Sequence, residues 1–135
     1  MSQQWVWVKS NTPPKCKLAK YEKQAIQAKA DQFVASYYRP HFIKPPPPEP
    51  QANYIDDFST RWHGAYFYFT ARYACPGPNT ISLFFDIDFA RLGYFSRDNY
   101  NLWARRHNDQ WMLLYENVAL PACFERMQND PWFQF

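Results

Sequence analysis

Residues 101–115, NLWARRHNDQWMLLY, constrain the fold more than any other stretch of this chain. Trp103 and Arg105 share one side of a run that leads into a short polar loop, and Trp111 and Leu113 share one side of the run that leads out. The loop contains Asn and Asp, which tolerate the left-handed backbone of tight turns. Two alternating runs around such a loop predict a β-hairpin and therefore an antiparallel sheet.

Two further stretches show strand-like alternation. Residues 62–74, WHGAYFYFTARYA, are predicted to form one long strand, whose Phe-bearing side is the more apolar and should face the core. Residues 81–95 add strand in two parts, with a bulge or close backbone approach at Gly93. Residues 53–59 are predicted to be irregular, so the predicted antiparallel sheet covers residues 60–116.

Helical periodicity is clearest over residues 18–39. The pair Arg39-Pro40 predicts the end of this helix, since the residue before proline avoids the α region, and residues 41–43 are predicted to be extended. A second, short helix is predicted over residues 119–129, where Pro121 suits a first helical turn. The apolar stripe of the long helix contains Ile26, Ala30, Phe33, Val34 and Tyr37.

The remaining segments complete a single domain of residues 1–135, a length that suits one core. Residues 1–17 are predicted to be an extended arm, and residues 44–52 a Pro-rich spacer rather than a ligand for SH3-type grooves. Residues 130–135 form an apolar tail that docks on the fold or meets a partner. The predicted class is α+β: an antiparallel meander of three to five strands, with the long N-terminal helix packed on one face and a short C-terminal helix.

Composition indicates what fills the core. The chain has 12 Phe, 10 Tyr and 6 Trp against 16 Leu, Ile and Val, so the core must be built largely from rings. The net charge is +3, but all seven Lys lie at or before Lys44. Residues 51–135 hold seven Arg against nine Asp and Glu, so the predicted sheet lacks the basic excess typical of a nucleic-acid reader.

Several protein classes are disfavoured. Cys16, Cys75 and Cys123 are odd in number and far apart, which argues against a disulfide framework and a zinc site and favours reduced thiols in the cytoplasm. No signal peptide and no membrane-spanning stretch is recognised. Asp86 and Asp88 share a strand face, and we expect them to pair with Arg91 or Arg97 or to face water rather than bind a metal. No cofactor, metal or catalytic residue is predicted.

The candidate site is a surface of rings and guanidinium groups on the sheet. Trp, Tyr and Arg are the favoured anchors of protein interfaces, and Arg also stacks on rings within folds. We expect the two histidines of this set to satisfy neighbouring backbone groups rather than to act in acid–base chemistry. The candidate binding residues are Trp62, His63, Tyr66, Arg72, Arg91, Trp103, Arg105, His107 and Trp111.

Three functions follow from these residues. The first is a non-enzymatic module that binds a protein partner or a second copy of itself through its aromatic and arginine surface. An alternative is single-stranded nucleic-acid binding through the Lys-rich helix and the Arg–aromatic sheet face. A further alternative is a small enzyme with a pocket in a curled sheet, which rests on fold analogy alone.

The motifs also carry a resemblance that covers nearly the whole chain. They resemble those of a family of small uncharacterised bacterial proteins, common in cyanobacteria, with WHG..RY, FARL.Y and W.RH..QW signatures. The resemblance implies no activity, cofactor or catalytic residue. The matching stretches are WVWV near the start, Phe33–Pro40, WHGAYFYFTARY at Trp62–Tyr73, FARLGYF at Phe89–Phe95, WARRHNDQW at Trp103–Trp111, and the closing helix.

Overall fold

The structure, a computed structural model, describes residues 18–46, 52–77, 83–105 and 109–135. The predicted arm, most of the Pro-rich spacer and His107 lie outside these residues. The described elements are helix α1 (Lys20–Phe33), a π-helical segment (Val34–Tyr38), helix α2 (Arg39–Phe42), strands β1 (Tyr54–His63), β2 (Tyr66–Ala74), β3 (Phe84–Ser96), β4 (Asn99–Arg105) and β5 (Trp111–Val118), helix α3 (Leu120–Asn129) and a 3-10 turn (Pro131–Phe133).

The sheet is a simple antiparallel meander. Its five strands lie in the order β1-β2-β3-β4-β5, and every neighbouring pair is antiparallel. One long helical region precedes the sheet and a short helix follows it, so the predicted α+β class is confirmed. The hairpin predicted at residues 101–115 is also confirmed, because Arg105 pairs with Trp111 and Trp103 with Leu113.

The start of the sheet differs from the sequence prediction. Residues 62–74 are not one strand, because Gly64 and Ala65 form a tight turn and His63 pairs with Tyr66. Gly64 has φ +61°, a left-handed conformation that glycine adopts without strain. Residues 53–59 are largely strand rather than irregular. The acidic pair Asp56-Asp57 and a register shift between Ile55 and Asp57 hide the alternation of β1.

The long helix also continues past its predicted end, and His41 and Phe42 are helical rather than extended. The π-helical segment precedes Pro40, and the Arg39 N–H donates to the Val34 carbonyl five residues back. Proline cannot donate a backbone hydrogen bond and clashes with the carbonyl four residues earlier in a regular α-helix. The wider π turn relieves this conflict, so the helix ends at Phe42 instead of Arg39.

The core lies between the helices and one face of the sheet. Ile26, Ala30, Phe33 and Val34 of the predicted stripe are buried there, together with Phe67 and Phe69 of β2. α1 and α3 meet through the stacked rings of Phe33 and Phe124, 4.7 Å apart. The C-terminal tail packs on the same cluster, where Phe133 is buried.

A β-bulge near the middle of β3 changes which face of the sheet the following side chains occupy. The pairing with β2 shifts between Phe69 and Thr70, which leaves Phe89 as the extra residue. The bulge therefore lies at Phe89 and not at Gly93, which pairs in regular register with Tyr66 and Asn101. Beyond it, the side chain of Arg91 is directed to the face opposite the helices.

Candidate functional site

The described helices cover the Phe-bearing face of the sheet and leave the other face without a helical layer. We call this second face the outer face. Strand pairing sets Arg61, Tyr68, Arg91, Trp103 and Leu113 side by side across all five strands on it. Its ring and charged side chains include those of Arg61, His63, Tyr66, Tyr68, Arg72, Phe84, Asp86, Asp88, Arg91, Trp103, Arg105 and Trp111.

Arg91 occupies the centre of the outer face, between three rings. Its guanidinium carbon lies 4.0 Å from the centroid of Tyr66, 4.6 Å from that of Trp111 and 4.9 Å from that of Trp103. A cation over an aromatic face is attracted by the ring quadrupole, most strongly where water is excluded. Arg91 is partly buried and Trp103 almost wholly buried, so this attraction operates away from bulk water.

The rings also contact one another. Tyr66 meets Trp103 edge to face with centroids 5.4 Å apart, and Tyr68 meets Trp111 at 5.8 Å. Arg61 extends the set toward β1, with its guanidinium 4.9 Å from the Tyr68 centroid. Side chains from five strands thus hold one another in place, and the ring contacts link strands that are not adjacent, β2 with β4 and β2 with β5. Burial raises the pKa of the Tyr66 hydroxyl, with the nearby Arg91 acting in the opposite direction.

Aspartates pair with the other three described arginines of the outer face, Arg61, Arg72 and Arg105. Arg61 donates to both carboxylate oxygens of Asp88, at 2.7 and 2.9 Å, and Thr70 donates to the same carboxylate at 2.6 Å. The hydrogen bonds from Arg61, and secondarily that from Thr70, hold the pKa of Asp88 below its ordinary value although partial burial opposes them. The bidentate geometry fixes the guanidinium plane next to Tyr68.

Arg72 makes a similar two-oxygen pair, and Arg105 makes a single hydrogen bond to an exposed aspartate. Arg72 donates to the two oxygens of Asp86 at 2.9 and 3.2 Å, and this contact lowers the pKa of Asp86. Arg105 donates to Asp109 at 3.0 Å and lies 5.9 Å from the Trp111 centroid. Among the described residues, Arg91 is the one arginine of the outer face without a carboxylate partner.

Two buried nitrogen atoms on this face have no hydrogen-bond acceptor within the described parts of the chain. They are the Nε atoms of Arg91 and Arg105. A buried donor without an acceptor costs free energy and is uncommon in folded proteins. Among the described residues, these two donors are therefore unmet hydrogen-bonding capacity beside the rings of the outer face.

The structure brings together five of the nine predicted site residues: Tyr66, Arg91, Trp103, Arg105 and Trp111. His63 lies on the same face, with its ring 6.3 Å from that of Tyr68. Arg72 also lies there, two residues beyond Thr70 along β2.

Trp62 lies on the opposite face from the other predicted site residues. It packs against Phe67 at 5.1 Å, and its indole N–H donates to the Lys23 carbonyl. The hairpin turn after His63 reverses the chain, so the alternation of one strand cannot be extended from Trp62 to Tyr66. His107 lies outside the described residues, and its predicted part in the site stays a prediction.

Sequence reasoning did not find the ion-paired part of the site. Asp86 and Asp88 pair with Arg72 and Arg61, not with the expected Arg91 or Arg97. The sequence carries only a weak signal for these ion pairs. Arg61 can be assigned to the outer face only after β1 and the hairpin turn that follows it have been placed. Cross-strand pairing then sets Arg72 directly opposite Asp86.

The possible metal ligands and the thiols among the described residues do not form a cluster. Within residues 18–46, 52–77, 83–105 and 109–135, no three His, Cys, Asp or Glu side chains cluster as a metal site would require. Cys75 and Cys123 are buried, and burial raises the pKa of the Cys123 thiol to about 12. No helix in these ranges has the length and apolar character that a membrane span needs.

The described surface grooves lie away from the outer face. The largest of three, of about 480 Å³, runs between α1 and α3 and is lined by residues such as Lys29, Phe33 and Phe124. The other two adjoin Tyr115 with α3, and Ile55 with the C-terminal Phe135.

Comparison with known proteins shows which family the chain matches. A family model described as a domain of unknown function, DUF3024, matches residues 18–135. The chain belongs to this family. No curated protein and no solved structure matches the chain. The matched residues span every described element of the DUF3024 domain, from the start of α1 to the C-terminal tail.

Proposed function

We propose that this protein is a non-enzymatic binding module and that the outer face is the surface that contacts a protein partner. One observation carries the proposal: Arg91 lies between three rings with a buried Nε that has no acceptor among the described residues. Tyr, Trp and Arg dominate the energetics of protein interfaces. Here they are already held in position, which lowers the entropic cost of binding.

Charge favours a protein over a nucleic acid as the partner. Arg61, Arg72 and Arg105 each hold an aspartate, so contact with phosphate would require those pairs to break. Affinity for nucleic acid comes largely from free cations that neutralise phosphates. The Lys-rich helix α1 lies on the opposite side of the sheet from the outer face, so the two basic surfaces do not form one continuous site.

Among its described residues, the outer face also lacks the arrangement of a hydrolytic or acid–base site. His63 is exposed and contacts the ring of Tyr68, and no carboxylate of the described residues bonds to it. A general base normally has a partner that orients it and a nucleophile within reach. We retain the cytoplasm as the compartment, because the free, buried Cys123 suits reducing conditions.

Site-specific photocrosslinking tests the proposal in intact cells. A photoreactive phenylalanine analogue replaces Tyr68 on the outer face and, as the matched control, Tyr21 on α1, which is 73% exposed. We expect a crosslinked protein of defined mass from position 68 that is absent from position 21 and is lost when Trp111→Ala is added. Equal products from both positions, or no product from position 68, would contradict the proposal.

A second measurement addresses the nucleic-acid alternative. The purified chain is passed over an immobilised mixed-sequence single-stranded oligonucleotide at low salt. We expect no retention. Retention that Trp111→Ala abolishes and salt reverses would replace the protein partner with a nucleic acid.

A further inference from the structure

The guanidinium of Arg91 makes no hydrogen bond to another described residue. Of its nitrogens, only Nε is both buried and unpaired. Since the two terminal nitrogens are also unpaired among the described residues, they are not buried, and their N–H groups reach the surface. An arginine is always charged in proteins and presents a planar fork of N–H donors. The outer face therefore holds a cation that is free to donate hydrogen bonds to a ligand.

The other arginines of the outer face show which group is missing at Arg91. Arg61 and Arg72 each donate to both oxygens of an aspartate, and Arg105 donates to Asp109. Each of these cations has a carboxylate of its own chain, so among the described residues Arg91 is the arginine left without one. A carboxylate fits the guanidinium fork, and the resulting hydrogen bonds are stronger than those between neutral groups.

The rings around Arg91 favour contact with an anion. Trp103 is almost wholly buried, whereas Tyr66 and Trp111 are partly exposed, so the latter two rings border the surface next to the guanidinium. Because rings keep water away from the cation, its attraction for an anion is screened less than on an open surface. Burial raises the pKa of the Tyr66 hydroxyl, so this ring stays neutral and does not repel a carboxylate.

We propose that Arg91 pairs with an aspartate or glutamate side chain of the protein partner, an inference that rests on the function proposed for the outer face. Residues next to this acid contact Tyr66 and Trp111, and they are apolar or aromatic because they cover rings. Contacts of this kind exclude water around the charged pair at the centre of an interface. The recognised epitope is thus one acidic residue in an apolar setting.

The number and setting of the free cations favour a side-chain carboxylate over other anions. Phosphorylated motifs are bound by clusters of arginines, whereas Arg61, Arg72 and Arg105 are already occupied by aspartates. A C-terminal carboxylate is typically held by backbone N–H groups. In a paired sheet these groups point toward neighbouring strands and not out of the face. One unpaired guanidinium suits one negative charge on a side chain.

Selection of a phage-displayed random-peptide library on the immobilised full chain tests this pairing. We expect the selected peptides to share an Asp or Glu next to an aromatic or aliphatic residue. A synthetic copy of a selected peptide is then compared with a copy in which the acid is replaced by its amide. Isothermal titration calorimetry should show binding weakened by about tenfold or more, the size expected for loss of a charged hydrogen-bonded pair.

Variants of the chain show whether Arg91 reads the acid. Arg91→Gln should bind the acidic peptide and its amide copy equally, and this comparison does not depend on the stability of the variant. Arg91→Lys keeps the charge without the fork and should recover part of the preference. The matched control is Arg72→Gln, whose guanidinium is already paired with Asp86, and it should keep the full preference. Circular dichroism confirms that each variant folds.

The outcomes separate this inference from the function on which it rests. A selection that yields no peptide dependent on Arg91, or amide copies that bind as tightly, overturns the carboxylate pairing. Tighter binding when phosphoserine replaces the acid also overturns it in favour of phosphate. Peptides that lack an acid but lose binding in Trp111→Ala would leave the outer face as a protein-binding surface. Failure of photocrosslinking from Tyr68, in contrast, removes the outer-face function itself.

Discussion

Arg91 shows how one side chain can serve both the fold and its surface. Its guanidinium contacts three rings from three strands, yet its Nε has no acceptor among the described residues. The contacts stabilise the packed side chain, while the unmet donor opposes them. The net effect on stability depends on which of the two is larger. The burial of Trp103 and the partial burial of Tyr66 and Trp111 favour the contacts.

We therefore expect Arg91→Ala to lower the free energy of unfolding by about 2 kcal/mol, through lost cation–π attraction and lost packing of the aliphatic stem. Urea unfolding followed by tryptophan fluorescence measures the change. The matched control is Arg72→Ala, which removes an exposed guanidinium from the same face and should have a smaller effect. A variant as stable as the wild type would show that the rings do not depend on Arg91.

Asp88 should make stability depend on acid pH. Its folded pKa lies below the ordinary value of 3.8, because Arg61 and Thr70 donate hydrogen bonds to the ionised carboxylate. The stabilisation is therefore complete above the unfolded pKa and is lost as the pH falls through the folded pKa. Between about pH 4 and pH 2, the unfolding free energy of Asp88→Asn should fall less steeply than that of the wild type.

The measurement is urea unfolding of both proteins at several pH values in this window. Asp109→Asn is the control, because that carboxylate side chain is 82% exposed. Parallel slopes for wild type and Asp88→Asn would show that the bidentate pair contributes nothing to stability.

At the scale of elements, the turn between β1 and β2 depends on backbone conformation rather than on packing. Gly64 has φ +61°, and a Cβ added there would meet nothing within 4 Å. Strain in the left-handed conformation is therefore the main cost of a larger residue. The turn reverses the chain between His63 and Tyr66, so it decides that Trp62 and Tyr66 lie on opposite faces.

Gly64→Ala should lower the unfolding free energy by about 1 kcal/mol, the cost of placing a Cβ in the left-handed region. Gly64→Asn should cost less, because Asn tolerates that conformation. Thermal unfolding of the two variants and the wild type gives the order. If Asn proves as costly as Ala, backbone strain is not the cause.

Across the whole molecule, the end of the N-terminal helical region and the C-terminal tail pack against each other. The Tyr38 hydroxyl donates to the Phe133 carbonyl at 3.1 Å, and both residues are fully buried. Phe135 adds ring contacts with Phe58 and Phe89. The C-terminal tail thus seals the ring cluster between α2, β1 and β3. Burial, and secondarily Tyr37, raise the pKa of Tyr38, so its hydroxyl stays a donor throughout the physiological range.

Tyr38→Phe should lower the unfolding free energy by about 1–2 kcal/mol, because the Phe133 carbonyl is left buried without its donor. Tyr37→Phe is the matched control. Its hydroxyl contacts the Gln128 carbonyl and the Gln134 side chain near solvent, where water can replace it. Chemical denaturation compares the two. An equal loss for both variants would mean that burial of the Tyr38 bond does not matter.

The sequence by itself determined the class of this protein, the hairpin at residues 101–115, the C-terminal helix and the apolar stripe of α1. These features are periodic within one segment, so neighbouring residues suffice to reveal them. Only the tertiary structure decided that Arg91 meets Tyr66 and Trp111, that Asp88 holds Arg61, and that Trp62 lies on the face that the helices cover. These depend on turns, a bulge and strand register, which join residues far apart in the chain through pairings that no local pattern specifies.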